Sequence, residues 1–517
     1  HAVEHDGRHR ARLVAGGHLT ETPVDSVCSS VVSLRGIRML TFLGELNGSQ
    51  TWCTDIGSAC LESHTKEKLH AKAGPEFGER EGHILVIVRA LHGLKSSGLR
   101  WHERFSDVLR DMGFFPSKAE RDIWMRDKGD HYEHIGAYVD DLLIVSKDPQ
   151  SIIDALTKEH NFNLKGTGPI TFHLGCDFFR NEEGQLCCAP RKCVEKTLEN
   201  YKRIFGTVPR PVASPLNKND HPELDDSDLL DEENTKIYQS LIGALQWTMQ
   251  IGRFDIATAA MTLSRFRAQP RQGHLDRVKR IHGCLCRWKH GVIRIDAEVP
   301  DFSHVPENAH DWDCSMYEGA KEEIPSDIPT PRGNPVLTSH CFDANLYHDL
   351  LSGRSVTGIL HFFNGTPVDW RSKLQSTVET AAFGSEHVGA RTCTEQVIDL
   401  RHTLRCLGVP IHGPSRMVNG PSMVFGDNES VINTAANPHS KLTKRHNALS
   451  YHRTREAVAA GIIRIHHVRS EMNPADVLSK HWDMASVWGQ LKPLLFWPAI
   501  KAEGQNKDGA EETKDKS

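Results

Sequence analysis

Tyr138-Val139-Asp140-Asp141 lies between two apolar runs, Ile135–Val139 and Leu142–Val145. Two adjacent carboxylates inside a β-type run are costly to desolvate, and along a regular strand they would point to opposite faces. A tight hairpin with the aspartates at its bend removes both difficulties and brings the two carboxylates to one cation. Hard carboxylate oxygens suit Mg2+, which keeps water and binds substrate phosphates. A bare Asp-Asp pair is also ordinary turn chemistry; the flanking apolar runs set this one apart.

Working outward, Phe105, Val108, Leu109 and Met112 have helical spacing, with Ser96 or Ser97 as N-cap and Gly113 as terminator. A strand over Ile123–Arg126 and a turn at Asp127–Asp130 lead into the hairpin. The 517 residues are 38% hydrophobic and 25% charged. That composition excludes collagen, a coiled-coil rod and a wholly disordered chain, and the length allows roughly three domains. No apolar run reaches the ~18–20 residues of a membrane span, so no membrane partner is expected. The chain opens at His1 without a signal peptide and reads as a piece of a longer polypeptide. Thirteen irregularly spaced cysteines suggest reduced thiols in an intracellular, cytoplasmic or nuclear setting.

Net charge is −5 but strongly segregated. Asp220, Glu223, Asp225, Asp226, Asp228, Asp231, Glu232 and Glu233 form an acidic stretch without Lys or Arg. Between Ser264 and Arg294, nine basic residues face only Asp276, a local +8. Arg277, Lys279, Arg280, Arg287 and Lys289 of this patch are expected to track a phosphate backbone, with the acidic stretch facing elsewhere. Proline-punctuated polar sequence at 300–335 reads as a linker, and 501–517 as a disordered tail.

Beyond the linker, strands at 336–342, 355–363 and 367–371 precede a helix at about 377–406. A strand at 422–426, helices at 429–436 and 443–459, a strand at 462–468 and a terminal helix follow. Asp343, Glu386, Asp427 and Asp476 are spread about evenly over these elements. One carboxylate from each of four elements is a way to build a two-metal site for phosphodiester hydrolysis. His282, Cys284, Cys286 and His290 lack paired zinc-ligand spacing and read as core cysteines and surface histidines.

The motifs resemble one family. The Tyr-Val-Asp-Asp hairpin looks like the reverse-transcriptase palm signature. Ala90-Leu91-His92-Gly93-Leu94-Lys95-Ser96-Ser97 with Trp101 resembles the A-L-Y-G-L-K-Q-S…W block of copia-type LTR-retrotransposon Pol polyproteins. Ala11-Arg12-Leu13-Val14-Ala15 resembles that family's K-A-R-L-V-A fingers segment, and Thr54-Asp55-Ile56 stands at D-V-K-T-A-F-L. Asp343-Ala344-Asn345, Trp370-Arg371-Ser372-Lys373, Gly426-Asp427-Asn428 and Ala475-Asp476-Val477-Leu478-Ser479-Lys480 resemble its ribonuclease H motifs in order, and Glu386 falls on the second Glu of S-T-E-A-E-Y. His92, Ser96, Leu346 and Gly384 depart from the pattern without removing a metal ligand.

The resemblance implies a mixed α/β (α+β) right-hand polymerase followed by an RNase H-like domain. Fingers and palm would span 1–205, a helical thumb or connection 206–299, the linker 300–335 and the RNase H-like domain 336–500. Asp55, Asp140 and Asp141 would be the polymerase triad; Asp343, Glu386, Asp427 and Asp476 would be the nuclease set. Arg12, Gly93 and Lys95 would contact nucleotide or template, and His446 and His452 the hybrid. Two Mg2+ (or Mn2+) ions per site and dNTP substrates follow, with an RNA template, a DNA primer and an RNA–DNA hybrid as partners. A larger Pol polyprotein with protease and integrase is implied, in a cytoplasmic virus-like particle or the nucleus. Two other readings fit the same residues: a catalytically silent nucleic-acid-binding remnant, and a nuclease that uses only the second site.

Overall fold

The computed structural model describes residues 13–21, 27–306, 310–313, 315–442 and 444–496, with the backbone of 2–3 and 9–10. Arg12 and the expected tail at 501–517 lie outside the described residues. The chain forms two compact units, one ending at Ile170 and one that takes Thr171 onward together with Glu45–Asn47.

In the first unit, helix α1 (Leu34–Leu46) leads to β1 (Gln50–Ile56), and β2 (His64–Lys72) pairs with β3 (Ile84–Arg89). Helix α2 (Ser97–Asp111), β4 (Phe115–Pro116), β5 (Ile123–Asp127), β6 (Tyr132–Tyr138), β7 (Asp141–Ser146), α3 (Pro149–Asp154) and β8 (Leu164–Pro169) follow. The main sheet is antiparallel with order β8-β1-β7-β6-β5-β4. Of the expected apolar stripe, Phe105, Val108 and Leu109 are buried with Trp101 against Ile56, Ile135, Ile144 and Phe162, while Met112 lies just past the helix and is partly buried. Each such side chain contributes roughly 1.5–3 kcal/mol by leaving water. Gly113, just past the helix, takes φ +82°, the left-handed value expected of a terminator.

In the second unit, β9 (Phe172–His173), β10 (Cys176–Arg180) and β11 (Leu186–Ala189) form a sheet closed by β12 (Ile293–Arg294). Helices α4 (Arg191–Phe205), α5 (Glu232–Gln250), α6 (Ala257–Ser264) and α7 (Gln272–Arg287) lie between β11 and β12 in sequence. The pairing of Cys187 with Arg294 and Cys188 with Ile293 ties 171–205 to the helices after it. The compact units therefore divide after Ile170 and not at 205.

Strands β13 (Val336–Asp349), β14 (Arg354–Phe363) and β15 (Thr366–Val378) are antiparallel neighbours. After α8 (Ala382–Cys406) and the short β16 (Ile411–His412), β17 (Ser422–Gly426) and β18 (Ile463–His467) add parallel strands on the other side of β13. The order β15-β14-β13-β17-β18, with β16 also pairing β13, is the RNase H-like arrangement the resemblance implied. One face packs on α8, α9 (Glu429–Ala436) and α10 (Ala448–Ala459): Phe342, Ile359 and Val424 meet Ala390, Val397, Val431 and Ala457. The chain then runs through α11 (Asp476–Ser479) and α12 (Met484–Leu495). Thr258 of α6 donates to the Val477 carbonyl at 3.0 Å, and Phe254 lies 5.2 Å from Trp370. Helices α5–α7 are thus packed, through α6, onto the β13–β18 sheet, within one unit.

The described part of 300–335 is irregular, as its prolines required, but it does not hang free. Glu322 bridges Arg401 (2.7 Å) and Arg405 (2.5 Å), two guanidiniums buried in α8. Tyr317 Oη lies 2.6 Å from His452 Nδ1, and Arg455 stacks on Trp312 at 5.0 Å. Burial works to raise the Glu322 carboxyl, and the two guanidiniums override it and bring it down to about 2. Its stabilising charge is complete above the ordinary carboxyl value of 4.5 and is lost as pH falls from there towards 2. Glu322→Ala strands two buried cations and is expected to cost about 3 kcal/mol at neutral pH, read as a lower denaturant midpoint. The difference from the parent should shrink in acid across that window; an unchanged midpoint at pH 7 would show that the bridge does not hold the segment.

Candidate active sites

The first site grows from the register of the first sheet. β6 ends at Tyr138 and β7 begins at Asp141, and these two residues pair across a two-residue turn, Val139-Asp140. Val139 adopts φ +59°, a conformation β-branched residues rarely take. The strain is held by two hydrogen bonds: Trp101 Nε1 donates to the Val139 carbonyl at 2.8 Å, and Ile56 N donates to the Asp140 carbonyl at 2.9 Å. Strained turns of this kind persist where the surroundings over-determine them.

On the neighbouring strand, Asp55 is the direct partner of Asp141. Cross-strand partners hold their Cβ atoms about 4.5–5.5 Å apart. The three aspartates consequently act on one another: burial, then Asp140 and Asp55, push the Asp141 carboxyl up to about 6. Gly93 and Lys95 have packing duties. Gly93 takes φ +92°, and a Cβ there would meet the Ala15 carbonyl at 2.2 Å. Lys95 Nζ donates to the Thr20 carbonyl at 2.8 Å. Both pin residues 15–20 to the loop before α2.

The second site grows from the centre of the sheet of the second unit. Asp343 lies on β13, and Asp427 directly follows β17, whose Phe425 pairs in parallel with Cys341. Asp476 opens α11. Oxygens of Asp343, Asp427 and Asp476 lie within 4.8 Å of one another. Glu386, in the first turns of α8, accepts from Ala344 N at 3.3 Å with Oε1, and its buried Oε2 has no hydrogen-bond partner.

Residues given no role from sequence set this geometry. Gly358 is the cross-strand partner of Asp343, and a Cβ there would meet Ala475 O at 2.5 Å and Ser479 N at 2.8 Å. Its bare backbone admits the α11 segment. Buried Asn473 donates through Nδ2 to the Phe342 carbonyl at 2.9 Å. Ser470 donates to Asp427 Oδ2 at 2.6 Å, and Ser479 to Asp343 Oδ2. Lys480 Nζ lies 2.9 Å from Asp476 Oδ1 and 3.3 Å from Asp343 Oδ1. Their signal was chain proximity to Asp343 and Asp476 within the motifs.

Burial pushes the Asp476 carboxyl up to about 7, with Asp343 adding to the effect. Burial also raises Asp343, against the pull of Lys480, and raises Glu386, where the charges of Asp343 and Asp427 add to it. Three converging carboxylates, with Glu386 coupled to them by charge and carrying an orphaned buried oxygen, fit divalent cations with a preference for hard oxygen ligands.

The basic patch is mostly paired inside the fold. Arg277 grips Asp220 at 3.0 Å and Asp225 at 2.5 Å, so two of the eight acids turn to α7 while Asp226, Asp228, Asp231, Glu232 and Glu233 stay exposed. Arg265 pairs with Asp349, Lys279 with Asp276 at 3.1 Å, and Arg280 donates to Ser214 Oγ at 3.2 Å. A count along the chain missed this because Asp220 and Arg277 meet only after folding. Arg287 and Lys289 remain exposed at the end of α7. His446 is half exposed, with Nε2 3.5 Å from Glu379, and His452 is held by Tyr317. His282 is buried with Nδ1 at the Val278 carbonyl, and Cys284 is buried beside it; among the described residues neither joins a ligand cluster.

Residues 1–203 match the family described as reverse transcriptase (RNA-dependent DNA polymerase). The retrovirus-related Pol polyprotein from transposon TNT 1-94 of Nicotiana tabacum is 25% identical over 487 residues, covering 92% of this chain and 33% of that protein. The corresponding polyprotein from transposon RE1 of Arabidopsis thaliana is 24% identical and covers 92% of this chain and 29% of that one. The chain thus spans about a third of the length of these relatives. Among solved structures, the foamy viral protease-reverse transcriptase in complex with an RNA/DNA hybrid aligns over 85% of this chain and 48% of its own, at 12% identity and a TM-score of 0.39. Residues 1–203 thus match the reverse-transcriptase family, and over 92% of its length the chain is similar to retrotransposon Pol polyproteins.

Gly358→Ala should drive α11 off the sheet and displace Asp476, at a cost of about 1–3 kcal/mol. Mn2+ titration of the full chain should then show weakened binding that depends on Asp427. Parent-like binding would mean that the close approach at Gly358 does not set the site.

Proposed function

We propose that this chain synthesises DNA on RNA and DNA templates at Asp55, Asp140 and Asp141, and cleaves the RNA strand of the resulting hybrid at Asp343, Glu386, Asp427 and Asp476. The observation that carries the reading is one chain in which Asp55 pairs with Asp141 beside the Asp140 turn on one sheet, and Asp343, Asp427 and Asp476 cluster at another, each at the place its motif marks. Its substrates would be dNTPs, a DNA primer, an RNA template and the RNA–DNA hybrid. The setting would be a Pol polyprotein with protease and integrase, in a cytoplasmic virus-like particle or the nucleus.

Two divalent cations per site, Mg2+ or Mn2+, would supply Lewis acidity for in-line attack at phosphorus when bound. The residues themselves provide position. The strained Val139 turn fixes Asp140 and Asp141 against Asp55 with little freedom left to lose on substrate binding. At the second site Ser470 and Ser479 each occupy one carboxylate oxygen, which orients the other towards the shared centre. Glu386 adds a buried oxygen that has no hydrogen-bond partner and would serve a cation as ligand. His446, half exposed beside Glu379, would meet a phosphate of the hybrid.

Primer extension on an RNA template, run beside hybrid cleavage, tests the proposal. Asp140→Asn with Asp141→Asn should lower extension by about a thousandfold, the scale of several kcal/mol of transition-state stabilisation, and leave cleavage intact. Asp427→Asn should do the reverse, and chelation by EDTA should remove both activities. Cleavage without metal-dependent extension would leave a nuclease only; loss of neither activity in the variants would sink both assignments.

A further inference from the structure

Lys480 lies four residues beyond Asp476, so the turn of α11 brings its side chain back over that carboxylate. Its ammonium reaches Oδ1 of both Asp476 and Asp343, at 2.9 and 3.3 Å. Asp343 is simultaneously held on Oδ2 by Ser479. Asp427 has its own partner in Ser470 and Glu386 takes Ala344 N, so the lysine reaches these two through its field and not through a hydrogen bond. The positive charge therefore sits on one side of the cluster, against Asp343 and Asp476.

A divalent ion that draws on Asp476 must compete with this ammonium for the same oxygen. An ion held through Asp427 and Glu386 need not. We infer that Lys480 is a built-in counter-cation that makes the cluster's two ion positions unequal, weakening the one on the Asp476 side. The inference rests on the metal-centre reading above and deepens it. It assigns Lys480 a positioning role: it keeps the buried aspartates assembled, and it yields when the second ion enters with substrate.

The test is Mn2+ alone, titrated into the full chain carrying Asp140→Asn and Asp141→Asn, and followed by calorimetry and by the electron paramagnetic resonance of free Mn2+. Lys480→Gln should tighten the weaker binding event about tenfold, the scale of one charge-assisted hydrogen bond. Lys480→Arg, which keeps the charge, should stay near the parent. Thermal melting without metal should fall in Lys480→Gln and recover with Mn2+ by more than the parent gains. Lys480→Met, which keeps the aliphatic stem, is measured alongside so that a folding failure of one variant does not end the test. Unchanged or weaker binding in a folded Lys480→Gln or Lys480→Met variant overturns the inference. Parent binding that survives Asp427→Asn overturns instead the metal centre on which it rests.

Discussion

Mutual repulsion among buried carboxylates is the constraint around which the second unit is organised. Asp343, Asp427 and Asp476 put oxygens within 4.8 Å of one another, with Glu386 beside them. Such a group would scatter or neutralise in a low-dielectric interior unless the backbone left it no alternative. Here the backbone is committed on every side. Gly426, just before Asp427, has no room for a Cβ because the Phe342 ring would lie 2.4 Å away. Gly358 admits α11 against the sheet, and Asn473 fastens the approach to α11 to the Phe342 carbonyl. The connection helices then close over α11 through Thr258. The packing of 206–299 on the nuclease sheet is in this sense part of the site: it supplies the stability against which the repulsion is set.

The first site reaches a similar chemistry by another route. Its aspartates come together through sheet register, Asp55 opposite Asp141, and through a hairpin too short to let Asp140 stray. Repulsion there is milder, because Asp141 is half-buried at the edge of a turn. The cost appears as backbone strain at Val139, which Trp101 and Ile56 hold in place. In one unit the penalty for clustering charge is electrostatic, and in the other it is largely conformational.

What could be read from the amino-acid sequence follows from the range of the interactions involved. The Asp140-Asp141 hairpin and α2 were legible because their determinants are local: flanking apolar runs, a 3.6-residue stripe and a glycine stop. That Asp343, Asp427 and Asp476 meet was foreshadowed by their motifs, whose residues are local to one strand, one strand end and one helix start. The division after Ile170 was not, because it depends on β11 pairing with β12 across four intervening helices. Residues 300–335 looked like a free linker for the same reason. Their composition is that of a loop, yet Glu322 finds its partners at Arg401 and Arg405. Gly358, Asn473 and Lys480 escaped because their roles exist only once β14 and α11 meet.

Charge was the most misleading quantity along the chain, and the reason is physical. Summation by window treats every charge as free, whereas folding pairs those that meet. Arg277 with Asp220 and Asp225, and Arg265 with Asp349, turn much of a nominal +8 into internal structure. Affinity for a polyanion scales with the phosphates a surface can neutralise, not with its arginine count. The cations left exposed on α7, Arg287 and Lys289, therefore weigh more in any contact with a nucleic-acid backbone than the paired arginines upstream. The same pairing explains how a chain with net charge −5 can still present positive charge where it is needed. Some of its acids are held by arginines within the fold, and Lys480 faces Asp343 and Asp476 in the second site.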